Sequence, residues 1–82
     1  MFENKYLVNI YVLSLGISYE VYLPANEKVG NIAKLLDSSL YENNNDNTKL
    51  STIMNSETGQ LYSNNTIIRN TDIKNGSMLL LI

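Results

Sequence analysis

The sequence closes on five consecutive apolar residues, from Met78 to Ile82. Chain termini usually fray and carry polar residues unless the fold holds them in place. A strand paired on both sides would hold such an ending, and its alternate residues Leu79 and Leu81 would then join a core. The run therefore predicts a closing strand inside a sheet, because an apolar strand at a sheet edge invites aggregation.

Two more strands are predicted near the start of the chain. Residues 5–13 are rich in β-branched, aromatic and aliphatic side chains, and a turn around Gly16 leads into a second strand from Tyr19 to Leu23. Alternation assigns a core-facing set to each strand of this hairpin. The sets are Val8, Ile10 and Val12 in the first strand, and Tyr19, Val21 and Leu23 in the second.

After Pro24 the apolar period changes from that of a strand to that of a helix. Val29, Ile32, Leu36 and Leu40 recur on one helical face, with Ala33 beside them. Asn26 is the predicted N-cap, with Glu27 in the first turn. Gly30 has two interpretations: drift at an exposed site, or close approach of a partner backbone.

The remaining elements complete an α+β order. Residues 50–54 are predicted to form a third strand, with Met54 and Ile53 on opposite sides and the facing unresolved. A short strand follows at Gln60 to Tyr62, and Asn75-Gly76 forms a turn before the closing strand. We predict a mixed sheet of four to five strands, with one helix packed across one face, in a single domain spanning residues 1–82.

Composition excludes several functional classes. The chain has no cysteine and no histidine, which removes thiolate metal sites and the commonest general base, so we expect no enzyme, no cofactor and no metal site. The polar stretch 41–47 and the residues after it lack the glycine and glutamate of a calcium-binding EF-hand loop, which indicates a solvated loop. The net charge of -2 disfavours nucleic acid.

The location expected from the sequence is the cytoplasm. The N-terminal stretch has neither the basic start nor the apolar segment of a signal peptide. No apolar run approaches the roughly 20 residues that a membrane span requires. We therefore expect no membrane insertion.

The order of elements resembles the ubiquitin-like β-grasp fold, and the last third, GQLYSNNTIIRNTDIKNGSMLLLI, resembles its spacing of apolar residues. Within that fold the chain is similar to the YukD and EsaB family of the type VII (WXG100) secretion system of Gram-positive bacteria. The similarity extends to length, to the break before the helix and to the ending, where Ile73, Gly76, Leu79 and Leu81 have the family's spacing. The resemblance implies a ubiquitin-like accessory or regulatory protein of such a system, acting by noncovalent contacts. Ubiquitin itself closes with Gly-Gly, whereas this sequence has no glycine after Gly76, so conjugation is not expected.

A protein-binding surface is predicted on the side of the sheet opposite the helix. If Leu79 and Leu81 face the helix, the alternate residues of the closing strand face away from it, beside those of the first strand. An exposed apolar patch of this kind usually marks an interaction surface. The predicted site is formed by Leu7, Tyr11, Leu13, Met78, Leu80 and Ile82.

Three interpretations of this patch stay open from sequence alone. It binds a protein partner, such as a component of the secretion machinery; it closes a homodimer; or it is covered by loop residues or by Tyr22 and Tyr62. A ubiquitin-like interaction or scaffold module unrelated to secretion is the alternative function.

Overall fold

The computed structural model describes residues 4–40 and 51–82. Within these residues, four strands form one sheet, and a single α-helix and a short 3-10 turn connect them. The elements are β1 (Lys5–Val12), β2 (Ile17–Pro24), α1 (Val29–Leu40), β3 (Ile53–Asn55), the 3-10 turn (Ile68–Asn70) and β4 (Met78–Leu81). The strand order is β2-β1-β4-β3, with β1 antiparallel to β2 and parallel to β4, and β3 antiparallel to β4. The predicted α+β class with a mixed sheet is confirmed.

The closing strand β4 lies between β1 and β3, as its apolar composition predicts. The β3–β4 ladder continues to the last residue, because Thr52 and Ile82 exchange two backbone hydrogen bonds of 2.9 Å. Leu79 and Leu81 are 1% and 2% exposed, so both belong to the core. A run of apolar residues is stable at this position because each backbone group has a partner and alternate side chains are removed from water.

The core lies between the sheet and α1. The inward residues of β1, namely Val8, Ile10 and Val12, are each 1% exposed, which confirms their prediction. On the helix, Val29, Ile32 and Ala33 are buried against them.

The predicted facing of β2 is correct only in part. Leu23 is buried and Val21 is half-buried, but Tyr19 remains 41% exposed, so the prediction that Tyr19 belongs to the core is wrong. The strand lies at an edge of the sheet, and Tyr19 lies nearer the β1–β2 turn than the buried Leu23 does.

The helix begins later than the sequence suggests, and Asn26 is not its N-cap. The first helical residue is Val29, and the side chain of Asn26 instead accepts a hydrogen bond of 3.0 Å from the Nε of Arg69. Backbone carbonyls of a distant loop cap the helix: Thr66 accepts from the N–H of Val29, and Asn64 accepts from Gly30. Because these bonds satisfy N–H groups that a helix start leaves unpaired, no side-chain cap is needed there.

Gly30 is buried, so the interpretation of drift at an exposed site is wrong. A Cβ atom at this position would lie 2.8 Å from both the Cβ and the backbone oxygen of Asn64. The glycine therefore permits close approach of a backbone, and that backbone belongs to the same chain.

The third strand is shorter than predicted and is shifted along the chain. It covers Ile53–Asn55, and the predicted short strand at residues 60–62 is present as an isolated bridge between Leu61 and Met54. Leu50 and the predicted loop at 41–47 lie outside the described residues. Within 4–40 and 51–82, no helix is long and apolar enough to cross a membrane.

Candidate protein-binding face

The outward-facing residues of the sheet form a row of apolar side chains. Register places Tyr11 of β1 beside Leu80 of β4, and Leu80 beside Met54 of β3. An isolated bridge then places Leu61 beside Met54. Residues directly opposite each other in a sheet share a face, so these four side chains cross the sheet in one line.

The six residues predicted for the site all lie in this region. Tyr11 is 39% exposed, Leu13 58%, Met78 53% and Ile82 40%, whereas Leu7 and Leu80 are half-buried. Together with Met54 and Leu61 they form what we call the outer face. Apolar side chains that share one face and keep this much exposure form a contiguous patch rather than scattered surface residues.

Two residues of the outer face were not predicted. Met54 was on a strand whose facing the sequence left open, and only its register opposite Leu80 resolves it. Leu61 is 57% exposed and lies outside the regular strands. Alternation inside one short strand does not reveal either position, because the signal lies in the pairing between segments.

Tyr62 does not cover the outer face. It is 5% exposed and packs with the core, where its hydroxyl donates to Asp72 Oδ1 at 2.5 Å and accepts from Asn55 Nδ2 at 3.1 Å. Burial, followed by the hydrogen bond to Asp72, raises the pKa of Tyr62 to about 12. This tyrosine is therefore a neutral structural group at physiological pH.

Tyr22 lies at the margin of the outer face and leaves most of it open. It pairs with Leu7 across the β1–β2 ladder and is 58% exposed. The Nζ of Lys5 lies 4.6 Å from the centre of its ring, within the range of a cation–π contact. The pairing and the contact place Tyr22 beside the start of β1, whereas the row that contains Leu80 crosses β1 at Tyr11.

A shallow depression of about 650 Å³ opens at this end of the face. Its lining includes Leu7, Tyr22 and Met78, with the charged groups of Lys5 and Glu20 among them. Two hydrogen bonds shape its floor: the side chain of Asn75 accepts from the N–H of Leu7 at 2.7 Å, and Gly76 donates to the carbonyl of Leu7 at 2.8 Å. The depression thus combines apolar side chains with one positive and one negative charge.

The chemistry of this region favours binding. Among the described residues, no group of three or more acidic, histidine or cysteine side chains is placed to hold a metal ion. The outer face offers thioether, aliphatic and aromatic surface, which gains free energy when another apolar surface removes it from water. Such a face is suited to contact with a second protein surface.

Searches against protein-family models and curated protein sequences find no match to this chain. Solved structures do match it. A chain of the toluene 4-monooxygenase HD complex with the inhibitor 4-bromobenzoate superposes with a TM-score of 0.76 at 8% identity, over 94% of this chain and 95% of that one. The N-terminal ubiquitin-like domain in the 4931431F19Rik protein matches with a TM-score of 0.74 at 17% identity, over 99% of this chain and 76% of that one.

A third match is a chain of the MycP5-free ESX-5 inner membrane complex in state II. Its TM-score is 0.69 at 18% identity, and it covers 98% of this chain and 21% of the matched chain. This chain therefore spans about a fifth of that component. At these identities the likenesses establish architecture, and the architecture they establish is the ubiquitin-like fold.

Proposed function

We propose that this chain is a ubiquitin-like accessory or regulatory protein of a bacterial type VII secretion system, acting through noncovalent contacts of its outer face with a cytoplasmic surface of that machinery. The proposal assigns no catalytic step and no cofactor to the chain. The observation that carries it is the open apolar row of Tyr11, Leu80, Met54 and Leu61 across the sheet.

The row supports a binding role because the fold does not require it for its own core. The core of the described residues is built on the opposite side of the sheet, where Leu79 and Leu81 meet the helix. Keeping apolar surface in water gives no stability to the monomer, whereas its removal by a partner is favourable. The partner expected here is a protein surface with an apolar centre and polar margins.

Two observations support the link to secretion. The sequence resembles the YukD and EsaB family in the spacing of Ile73, Gly76, Leu79 and Leu81. In addition, the fold matches part of a component of the ESX-5 inner membrane complex. Both point to a module that works beside a secretion apparatus.

A ubiquitin-like interaction module outside secretion is the second candidate. It is supported by the likeness to a chain of a toluene 4-monooxygenase complex and to the ubiquitin-like domain in the 4931431F19Rik protein, since one architecture can serve several functions. The outer face has the same binding role in this alternative. Only the identity of the partner differs.

Affinity purification from the source cells, followed by mass spectrometry, separates these candidates. The comparison uses wild type, Leu80→Glu on the outer face, and Leu35→Glu as a matched control. Leu35 is a helix residue that is 64% exposed, so the control makes the same chemical change on another surface. Circular dichroism first establishes that each variant is folded.

The proposal requires components of the secretion machinery to be recovered with wild type and with Leu35→Glu, and to be lost with folded Leu80→Glu. Recovery of a different, specific partner with the same dependence on Leu80 would instead establish the second candidate. Equal recovery of the partner by all three proteins would show that the outer face is not the binding site in either candidate function.

A further inference from the structure

The two edges of the sheet differ in the state of their backbone groups. At the β3 edge, the N–H of Asn55 donates to Gln60, and Ile53 accepts from Tyr62. Segment 60–62 therefore closes that edge within the chain. The opposite edge is β2, which is eight residues long and has an uninterrupted register with β1.

The direction of the backbone groups of β2 follows from the ladder pattern. Ala25 donates to Asn4, and residues of an antiparallel pair alternate between positions that bond each other and positions that point away. Odd-numbered residues of β2 therefore bond β1. The opposite set, Ser18, Glu20 and Tyr22, directs its N–H and C=O groups to the outside.

The hydrogen bonds between β1 and β4 independently identify the same outward-directed residues of β2. Asn9 and Leu13 donate to β4-side carbonyls, so odd-numbered residues of β1 face β4 and even-numbered ones face β2. Those even residues pair with the odd residues of β2. Within 4–40 and 51–82, the hydrogen bonds beyond the β1–β2 ladder leave the outward backbone groups of Ser18, Glu20 and Tyr22 unused.

We infer that β2 pairs with the β2 strand of a second copy of this chain, antiparallel, across a twofold axis at Tyr19. Apart from the charge of Glu20, the strand lacks the usual protection of an edge: it carries no lysine, no bulge and no internal proline. Joined in this way, two copies form one continuous sheet.

Side-chain chemistry favours this register over one centred on the neighbouring Glu20. An axis at Glu20 would place two carboxylates directly opposite each other, which is destabilising. An axis at Tyr19 places Glu20 opposite Ser18 of the second copy and joins the two Tyr19 rings. It also pairs Ile17 with Val21, and aromatic and β-branched pairs of this kind are favourable across strands.

The incomplete burial of β2 supports the same pairing. Ile17 and Tyr19 lie on the side of the sheet that contains the core, yet each remains 41% exposed. The neighbouring inward residues of β1 are buried almost completely. A second β2 strand beside this one would cover Ile17 and Tyr19, and its own two residues would be covered in return.

Sedimentation velocity of the purified chain, at concentrations up to about 1 mM, tests the inference. Glu20→Pro removes one outward N–H without touching the β1 ladder, and proline is tolerated at such an edge position. Glu20→Ala is its matched control, since it removes the carboxylate but keeps the N–H. Ser18→Lys should increase the affinity of the dimer, because it places a lysine opposite Glu20 of the second copy on both sides of the axis.

The expected result is a concentration-dependent dimer for wild type and Glu20→Ala, and a monomer for Glu20→Pro. Ser18→Lys should tighten the dimer about fivefold, from two opposite-charge pairs, and added salt should reverse the gain. A wild-type protein that stays monomeric throughout would overturn the inference and leave the edge for a strand of another protein. A dimer that Glu20→Pro and Ser18→Lys leave unchanged, but Leu80→Glu dissociates, would overturn it in favour of the outer face.

Discussion

The backbone carbonyl of Asn64 accepts a hydrogen bond of 2.9 Å from the N–H of Gly30, at the first turn of α1. The same oxygen would lie 2.8 Å from a Cβ atom at residue 30. One contact thus both caps the helix and forbids a side chain at that position. The loop around residue 64 and the helix start are consequently fixed to each other through backbone atoms.

Gly30→Ala should destabilise the protein, by about 1–3 kcal/mol, because the added methyl group must displace backbone rather than a mobile side chain. In an unobstructed helix the same change would stabilise by about 1 kcal/mol. Urea unfolding followed by circular dichroism measures the difference. Ser38→Ala, at an exposed position of α1, is the control and should change the free energy of unfolding by less than about 0.5 kcal/mol. A Gly30→Ala variant more stable than wild type would show that the loop yields easily.

Tyr62→Phe should destabilise the protein because it leaves the buried amide of Asn55 without its phenolic acceptor and Asp72 without a donor. The expected cost is about 1–3 kcal/mol. Urea unfolding at neutral pH measures it. A neutral result would mean that water replaces the hydroxyl at both partners.

The same tyrosine gives stability a specific dependence on alkaline pH. Its folded pKa of about 12 lies above the ordinary value of 10.0, so the folded state holds this proton more tightly than the unfolded state does. The corresponding stability is fully present below about pH 10 and is lost as the pH rises from there through about 12. Urea unfolding at several pH values across that window should show a steeper loss in wild type than in Tyr62→Phe. Parallel slopes for the two proteins would contradict the assignment.

Adjacent residues of β4 offer a direct test of the two sheet faces. Leu79→Ala should lower the free energy of unfolding by about 2–5 kcal/mol, since Leu79 is 1% exposed in the core. Met78→Ala should change it by less than about 0.5 kcal/mol, since Met78 is 53% exposed. Chemical denaturation of both variants measures the contrast. Similar costs at the two positions would mean that the outer face is covered.

Met54→Glu should weaken partner recovery as much as Leu80→Glu does, because the two residues are neighbours in the apolar row. The measurement is the amount of partner recovered per amount of folded bait, with Leu35→Glu again as the control. If partner recovery were lost with Leu80→Glu and kept with Met54→Glu, the partner would contact the outer face at β1 and β4 and not at β3.

Sequence reasoning predicted the parts of the fold that depend on local periodicity. The inward set of β1 and the central place of β4 follow from alternation and apolar composition, and both are confirmed. The predicted cap at Asn26 is wrong because the groups that satisfy the helix start come from the loop that includes Asn64, far along the chain. For the same reason, the sequence left the role of Gly30 open between an exposed site and close approach of a backbone.

For the candidate site, alternation was sufficient to place the residues of β1 and β4 on one face. Met54 and Leu61 joined that face only through cross-strand register, which a single sequence does not reveal. The exposure of Tyr19 depends on its place near the turn of an edge strand, and which strand lies at the edge is a property of strand order.

The unequal edges of the sheet limit how far assembly can proceed. Within residues 4–40 and 51–82, segment 60–62 already occupies the β3 side, which leaves one sheet edge for strand pairing, and the addition of a second copy uses that edge on both molecules. Growth by edge pairing therefore terminates after a single step. A molecule with one free sheet edge can form a dimer through backbone hydrogen bonds, but it does not extend into a fibre by the same pairing.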